Sequence, residues 1–575
     1  MVIFIQTMRA IVLLFLVTHS WAQTVSDKIR LNQIGFYPNS PKVAVVVGSA
    51  AGEFTITKPN DNLILFKGSL GELKQSSYNS KQTRIADFSS FQSAGTFVLR
   101  VAGVGASYPF TIKSNVHQSV LKAAIKSYYY QRFSMPLEKK FAGQWSRPAS
   151  ANQPVVVHAS AASPQRPTNT SVPSPKGWID AGDYNKYIVN SGITTATLLA
   201  CLEDFAPLTQ ALDLSIPESN NKLPDLLDEI LWNLRWMLTM QDLNDGGVYH
   251  KCTNANFDAM VMPHEPQVVR YLVQKSTAAA LDFTAVMAQA SKILQAYNVQ
   301  LPGLADSCWQ AAQRAWTWAK ANPAVIYDQN KINQQFDPDI TTGTYGDGNI
   351  TDEWIWAAAT MAAMSGDITY ISGIEIFPDA ENPVPAWNQV RLLGYYALGN
   401  AALNTELKTQ AQTRIIEKAN ELLAYKAESP YEVVMGKQAS DFVWGSNAVA
   451  ANQSMLLLQA YRITQDIKFR DGALANLDYL LGRNGTGYSF VTGHGSKTPK
   501  HIHHRPSEAD GVAEPIPGLL AGGPNPSRQD KCKYSSTLPD EAYVDDVCSY
   551  ASNEVAINWN APLVYIIAAM ELYCK

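Results

Sequence analysis

Gln118-Ser119-Val120-Leu121-Lys122-Ala123-Ala124-Ile125-Lys126-Ser127-Tyr128-Tyr129-Tyr130-Gln131-Arg132 is where the chain changes its hydrophobic period. Val120, Leu121, Ala124, Ile125 and Tyr128 recur at intervals of three and four, which puts them on one face of a helix. Before this stretch the pattern has a period of two. Lys42–Val47, Glu53–Thr57, Leu63–Lys67, Thr83–Phe88, Thr96–Val101 and Tyr108–Ile112 read as short strands separated by Gly, Pro, Asn and Ser clusters. That spacing predicts a β-sandwich over residues 27–113. It shows no row of aromatic side chains, so it is expected to pack on its neighbour rather than hold sugar.

After the change, helices recur. The pattern predicts them near 118–132, 191–205, 223–241, 276–297, 306–321, 351–365, 387–401, 405–425, 444–464, 469–481 and 553–573. A short piece near 367–374 would make the twelfth. No fixed repeat links them, which disfavours a regular solenoid. Twelve antiparallel helices over 117–575 instead suggest a closed toroid of six hairpins, with function on the loops at one end. Two long irregular stretches interrupt the pattern, 134–178 and 483–552. The second holds most of the His and many of the acidic residues, and loops of that length are functional or disordered.

Composition narrows the function class. The net charge is −4, the sequence pI is about 6.2 and there is no basic block. Nothing invites a nucleic-acid backbone or an anionic membrane. The 13 Trp, 26 Tyr and 19 Phe fill a large core in the plain reading, or in part form a surface on which pyranose rings stack. At the N-terminus Arg9, the apolar run Ile11–Val17 and Ser20-Trp21-Ala22 read as a secretory signal over residues 1–22. The protein is therefore expected to be secreted or periplasmic. Val555–Leu572 is apolar but interrupted by Asn558, Asn560 and Pro562, as in a buried helix. Six Cys are too few for a disulfide scaffold, although Cys532 and Cys548 could pair. No CxxC or HExxH spacing occurs.

Three constellations could carry chemistry. Gly177-Trp178-Ile179-Asp180-Ala181-Gly182-Asp183-Tyr184-Asn185-Lys186-Tyr187 places two carboxylates three residues apart before a helix, where capping or cation binding would also explain them. Tyr543-Val544-Asp545-Asp546, Tyr550 and Asn553-Glu554-Val555-Ala556 place Glu554 at the predicted start of the last helix among apolar neighbours. That setting would keep a carboxyl protonated, as a general acid requires, and capping is again the plain alternative. His501-Ile502-His503-His504-Arg505 lacks nearby carboxylates or Cys, and Arg505 would repel a cation. Hydrogen bonding to a polar ligand is therefore favoured over metal. Glycosidases need two carboxylates across the scissile bond, and a toroid can bring Asp183 and Glu554 together at its mouth.

Together these motifs resemble glycoside hydrolase family 9, the cellulase family with an (α/α)6 barrel. Asp180–Tyr187 resembles its catalytic-base motif. Ser489, Gly495, Lys497, His503 and Arg505 match one long family pattern, and Tyr543, Asp545, Tyr550, Glu554, Ala556, Asn560 and Ala561 match another. Gly246–Lys251 and Phe442–Asn447, the latter including Trp444, also look familial. Arg30–Phe36 resembles the start of the immunoglobulin-like module that precedes many members. The resemblance implies a mainly α protein: an (α/α)6 barrel preceded by a small immunoglobulin-like β-sandwich.

It further implies inversion at the anomeric centre, with Asp183 as base, Asp180 holding the water and Glu554 as acid. His503 and Arg505 would bind the sugar, Asp545 would support the site, and Trp444 and Tyr550 would contact substrate. Asp352 and Glu353 match the usual calcium pair, but Asn388 stands where a third ligand would be Asp. Phe133-Ser134 replaces the Cys of the usual structural zinc, and 134–178 contains no Cys, so zinc is not expected. The implied activity is endo-cleavage of β-1,4-glucosidic bonds in cellulose or a related β-glucan by a single copy of the chain. Asn185 and the departures at Phe133 and Asn388 favour, as the alternative, an exo-acting β-glucosidase or glucosaminidase whose cleft 134–178 closes. A non-catalytic glycan binder is the third reading.

Overall fold

The computed structural model describes residues 25–150, 154–403 and 405–574. The signal reading of residues 1–22 lies outside them. Residues 29–112 form the expected sandwich. One sheet orders Ile29–Arg30, Val43–Val47, Thr83–Asp87 and Leu73–Lys74, and the facing sheet is built on Gly95–Val101 flanked by Glu53–Thr57 and Phe110–Ile112. Its own core contains Phe36, Phe54, Phe88, Phe97 and Phe110. Leu63 and Ile64 stand outside the strand assigned to them, which runs over Phe66–Ser69, and both are exposed.

Eleven helices of ten or more residues follow among the described residues: α1 (Gln118–Tyr130), α2 (Ile188–Asp204), α3 (Asp225–Thr239), α4 (Thr277–Leu294), α5 (Leu304–Ala321), α6 (Thr351–Ser365), α7 (Arg391–Asn400), α8 (Thr405–Leu423), α9 (Ser446–Thr464), α10 (Ile467–Leu480) and α11 (Ile557–Tyr573). The twelfth position is a single 3-10 turn, Ile368–Ile371, packed on α6. Burial sorts the helices into two rings. In α8 only Ala411, Ile415, Ala419 and Leu422 are buried, a single stripe, whereas α11 is buried from Ile557 to Glu571. A helix apolar on every side belongs inside the toroid, and a striped one outside.

The inner ring runs α2 against α4, α4 against α6, α6 against α7, α9 against α11, and α11 back against α2. Asn400 Nδ2 donates to Gln459 Oε1 at 3.3 Å, linking α7 to α9. Consecutive inner helices run the same way round the ring, so the loops that precede them share one mouth. The base motif precedes α2, the stretch ending at Asn349 precedes α6, Trp444 precedes α9 and Glu554 precedes α11.

Polar contacts fasten the sandwich to the barrel. Asn32 Nδ2 donates to Asp478 Oδ1 at 2.8 Å. Tyr37 donates to Glu571 Oε1 at 2.8 Å, and the His117 amide donates to the same oxygen at 2.9 Å. Gln33 Oε1 accepts the amides of Ser496 and Lys497. Stretch 134–178 is not wholly irregular: Val155–Val157 joins Arg270–Leu272, Lys251–Thr253 and Lys186–Tyr187 in a four-stranded sheet beside the mouth. The strands are two or three residues long, too short to give a readable alternation.

Candidate active site

A cleft of about 850 Å3 opens at this mouth. Asp180, Asp183 and Glu554 line it with His503 and Arg505, and Trp444, Tyr550, Trp387, Trp559 and Phe257 form its aromatic walls. Trp444 stands against Tyr550 with ring centroids 5.2 Å apart, and is 42% exposed. These are amphipathic surfaces of the kind on which sugar C–H faces pack.

The base motif is held as a tight turn rather than as a helix cap. Helix α2 starts at Ile188, and its cap residue is Tyr187, which makes no side-chain capping bond. Both carboxylates are therefore free of the capping role. Asp183 Oδ2 accepts from Asn185 Nδ2 at 2.5 Å and from the Tyr187 hydroxyl at 3.1 Å. Asn185 is itself fixed, its Oδ1 accepting from Thr253 and from the Asn254 amide. Asp180 Oδ1 accepts from Asn190 Nδ2 at 2.6 Å, and Oδ2 accepts from the Tyr345 hydroxyl at 2.7 Å. Burial, and next the charge of Asp183, push the Asp180 carboxyl above the ordinary carboxylate range.

Glu554 lies differently from expectation. The last helix begins at Ile557, and Glu554 is in extended backbone between it and the short turn Tyr550–Asn553. The helix dipole is therefore not what sets its charge state. It is pinned by its backbone: its carbonyl accepts the Gly522 amide at 2.8 Å, and His503 N donates to the Asn553 carbonyl at 2.9 Å. Among the described residues its side chain receives only the Gly182 amide, at 3.4 Å. Burial, then Asp183 and Asp180, raise it from 4.5 to about 8. Its residue surface is half-buried rather than sealed.

Gly182 joins the two halves. A Cβ there would stand 2.3 Å from the His503 carbonyl oxygen and 3.2 Å from Glu554 Oε1. Glycine is required by this close approach. Arg505 braces the same turn: Nη1 donates to the Gly182 carbonyl at 2.8 Å and Nε to the Asp258 carbonyl at 2.9 Å. Among the described residues only Nη2 lacks a hydrogen-bond partner, so Arg505 acts as a strut of the turn. His503 Nδ1 lies 2.6 Å from the Val547 carbonyl, and burial lowers its pKa. With Nδ1–H donating there, Nε2 is left as an acceptor.

Asp545, expected to support the site, stands outside the cleft wall. It accepts the amides of Lys500 and His501 and the side chain of Asn553. It positions the residues beside His503 and Glu554. Among the described residues of stretch 134–178, none contributes to the cleft wall. Instead Trp145 Nε1 donates to the Glu514 carbonyl and Arg147 Nη2 to the Arg132 carbonyl. Closure of the cleft by this stretch, expected with the exo alternative, is not seen among the described residues.

Asn190, Tyr345, Asn558 and Phe257 were not legible as site residues. Tyr345 sits at φ 43°, in the left-handed region that an aromatic side chain rarely adopts. Its ring lies 4.7 Å from that of Tyr187 and 5.2 Å from that of Trp387. The signal that could have found it is the glycine-flanked Gly343-Thr344-Tyr345-Gly346. Asn558 lines the cleft and its buried Oδ1 has no partner.

The Asp352 and Glu353 side chains are buried. Asp352 Oδ2 accepts the Val390 amide at 2.6 Å. Among the described residues none donates a hydrogen bond to either oxygen of Glu353 or of nearby Asp282, or to Asp347 Oδ2. Burial, then Asp282, Asp352 and Asp347, raise the Glu353 carboxyl far above its usual range. Buried oxygens without donors suit a hard cation in kind. In spacing, however, no three acidic, His or Cys side chains stand as a metal cage among the described residues. Phe133 packs with Ile179 and Tyr184 under the base turn.

The family profile described as Glycosyl hydrolase family 9 matches residues 117–567, and the Cellulase N-terminal ig-like domain matches 24–106. The chain belongs to glycoside hydrolase family 9. The chain is 43% identical to the Xyloglucan-specific endo-beta-1,4-glucanase BoGH9A of Bacteroides ovatus, over 96% of this chain and 95% of that one. It is 33% identical to Endoglucanase D of Acetivibrio thermocellus, over 95% and 84%. The solved structure titled Bacteroides ovatus GH9 superposes with a TM-score of 0.90 at 42% identity, covering 96% and 100%. This family 9 enzyme is a glycoside hydrolase, with the barrel and the immunoglobulin-like domain that its motifs implied.

Proposed function

We propose that this family 9 hydrolase cuts β-1,4-glucan chains internally with inversion, and that its preferred substrate is xyloglucan. One observation carries the chemistry: Glu554, held protonated at neutral pH, shares an aromatic-walled cleft with Asp183, which is fixed by Asn185 and Tyr187. Asp183 removes a proton from water as the oxygen attacks the anomeric carbon. Asp180, fixed by Asn190 and Tyr345, orients that water. Glu554 delivers its proton to the leaving glycosidic oxygen as the bond breaks. His503 Nε2 and Arg505 Nη2 remain for sugar hydroxyls, and Trp444 and Tyr550 stack the chain.

The relative named for xyloglucan supports the choice of substrate. The rim is aromatic and open to solvent, with Phe257 and Trp444 48% and 42% exposed. The test compares viscosity with reducing ends on tamarind xyloglucan and on carboxymethylcellulose. The proposal requires an early viscosity drop, larger on xyloglucan. A flat viscosity while single sugars accumulate would support the exo alternative.

Export is part of the proposal, supported by the Cys532–Cys548 disulfide. Among the described residues no helix is long and apolar enough to cross a membrane. We also propose calcium at Asp352 and Glu353. The ion would neutralise buried carboxylates and fix the start of α6, taking no part in bond cleavage.

A further inference from the structure

No motif marks Asn525-Pro526-Ser527-Arg528-Gln529-Asp530 in the sequence, yet the fold brings Gln529 to the cleft wall, where it is exposed. The segment is tightly built. The Gln529 carbonyl accepts the Tyr550 hydroxyl at 2.9 Å. Next to it, Asp530 Oδ2 accepts from the Ser549 hydroxyl at 2.7 Å and from the Ala551 amide at 3.0 Å, the two residues that flank Tyr550. The Tyr534 hydroxyl donates to the same oxygen at 2.7 Å, and Oδ1 accepts the Cys532 amide at 2.9 Å. Arg528 and Lys531 sit at φ 45° and 62°, a backbone conformation that persists only where its surroundings over-determine it. Gln529 is therefore fastened to the Tyr550 edge of the stacking platform.

Asn525 decides which end of the Gln529 amide is left for a ligand. Asn525 is fully buried. Its Nδ2 donates to the Ala551 carbonyl at 2.9 Å, and its Oδ1 accepts the Ser527 amide at 3.1 Å. A carbonyl can only accept and a backbone N–H can only donate, so the Asn525 side chain has one permitted orientation. The other Nδ2 hydrogen goes to the Gln529 side chain at 2.8 Å, and the atom it meets there must be Oε1. With Oε1 committed, Nε2 is the remaining polar group, and among the described residues no hydrogen bond engages it. The wall thus combines a fixed amide donor with the rings of Tyr550 and Trp444. Rings take the C–H face of a pyranose, and a few placed polar groups fix its orientation.

We propose that Gln529 is a substrate-binding residue whose Nε2 donates to an oxygen of the sugar stacked on Trp444 and Tyr550. The assignment rests on the reading of this cleft as a β-glucan site. The test is calorimetric titration of the full chain with cellotetraose and with a xyloglucan heptasaccharide, in a Glu554→Gln background so that no hydrolysis intervenes. Gln529→Glu keeps the shape and the oxygen that Asn525 needs but has no donor. Gln529→Met keeps the length and has neither. Each should raise the dissociation constant about three- to tenfold, the worth of one neutral hydrogen bond, with the melting temperature of the parent. Parent-like binding by either folded variant overturns the proposal. If Gln529→Met melts lower than its parent, Gln529→Glu decides on its own. If the parent binds neither sugar, the substrate reading falls and this assignment with it, whereas binding by the parent that neither variant weakens removes this assignment alone.

Discussion

Replacing Glu554 by Gln separates two consequences of one buried carboxyl. The side chain keeps its shape and can still accept the Gly182 amide, so packing is conserved while the proton is lost. A general acid contributes about 10²–10⁴ in rate, which is roughly 3–5 kcal/mol of barrier. Hydrolysis of xyloglucan should fall by that factor. A dinitrophenyl glycoside, whose leaving group needs no proton, should lose far less. Wild-type kcat/KM should decline above about pH 8, where Glu554 deprotonates, and the variant should lack that limb.

Stability should move the other way. The folded carboxyl titrates at about 8 and the unfolded one at 4.5. The folded state therefore binds more protons between those values, and wild-type stability falls as pH rises through that window. The full shift corresponds to roughly 5 kcal/mol at 1.36 kcal/mol per pH unit, and the remaining exposure of the side chain reduces what is measured. Glu554→Gln should thus melt higher than wild type at pH 7.5, and equally at pH 4. Wild-type activity on xyloglucan, or an intact alkaline limb in the variant, would refute the assignment of the acid. A melting difference independent of pH would refute the linkage argument.

Other outcomes follow from the same geometry. Gly182→Ala drives a Cβ into the His503 carbonyl; it should abolish turnover and lower the melting temperature, as read by hydrolysis assay and calorimetry. Arg132→Met strands Glu229, whose side chain is fully buried and paired to Arg132 at 3.0 Å, and should cost about 3–5 kcal/mol in denaturant unfolding. Asp545→Ala frees Lys500, His501 and Asn553 from one acceptor, so kcat should fall more than KM rises, with partial recovery in Asp545→Asn. Chelator should lower the melting temperature, and added calcium restore it, with Asp352→Asn and Glu353→Gln insensitive to both.

The helical half of the fold was legible because its period is long. Eleven predicted helices correspond to α1–α11, and the weak signal at 367–374 is a single turn. The small sheet at 155–157 and 251–253 escaped notice because two or three residues cannot show a period of two. In the site, Asp183 and Glu554 stood out by motif, but local reasoning misplaced their surroundings. Pattern reading put Glu554 on a helix start, whereas the chain pairs His503 with Glu554 as a bridge and delays the helix to Ile557. Tyr345 could not be read, since its role depends on meeting Asp180 across 165 residues. Arg505 carried a sugar-binding expectation, and only coordinates show two of its nitrogens spent on backbone carbonyls.

The central claim is that Asp183 and Glu554 act together in a single displacement. The most direct measurement is proton NMR of the first products released from a xyloglucan or cello-oligosaccharide, recorded before mutarotation. The account predicts α-anomeric reducing ends appearing first, with β growing in later. β-anomers at the earliest times would mean retention through a covalent intermediate, and would contradict it.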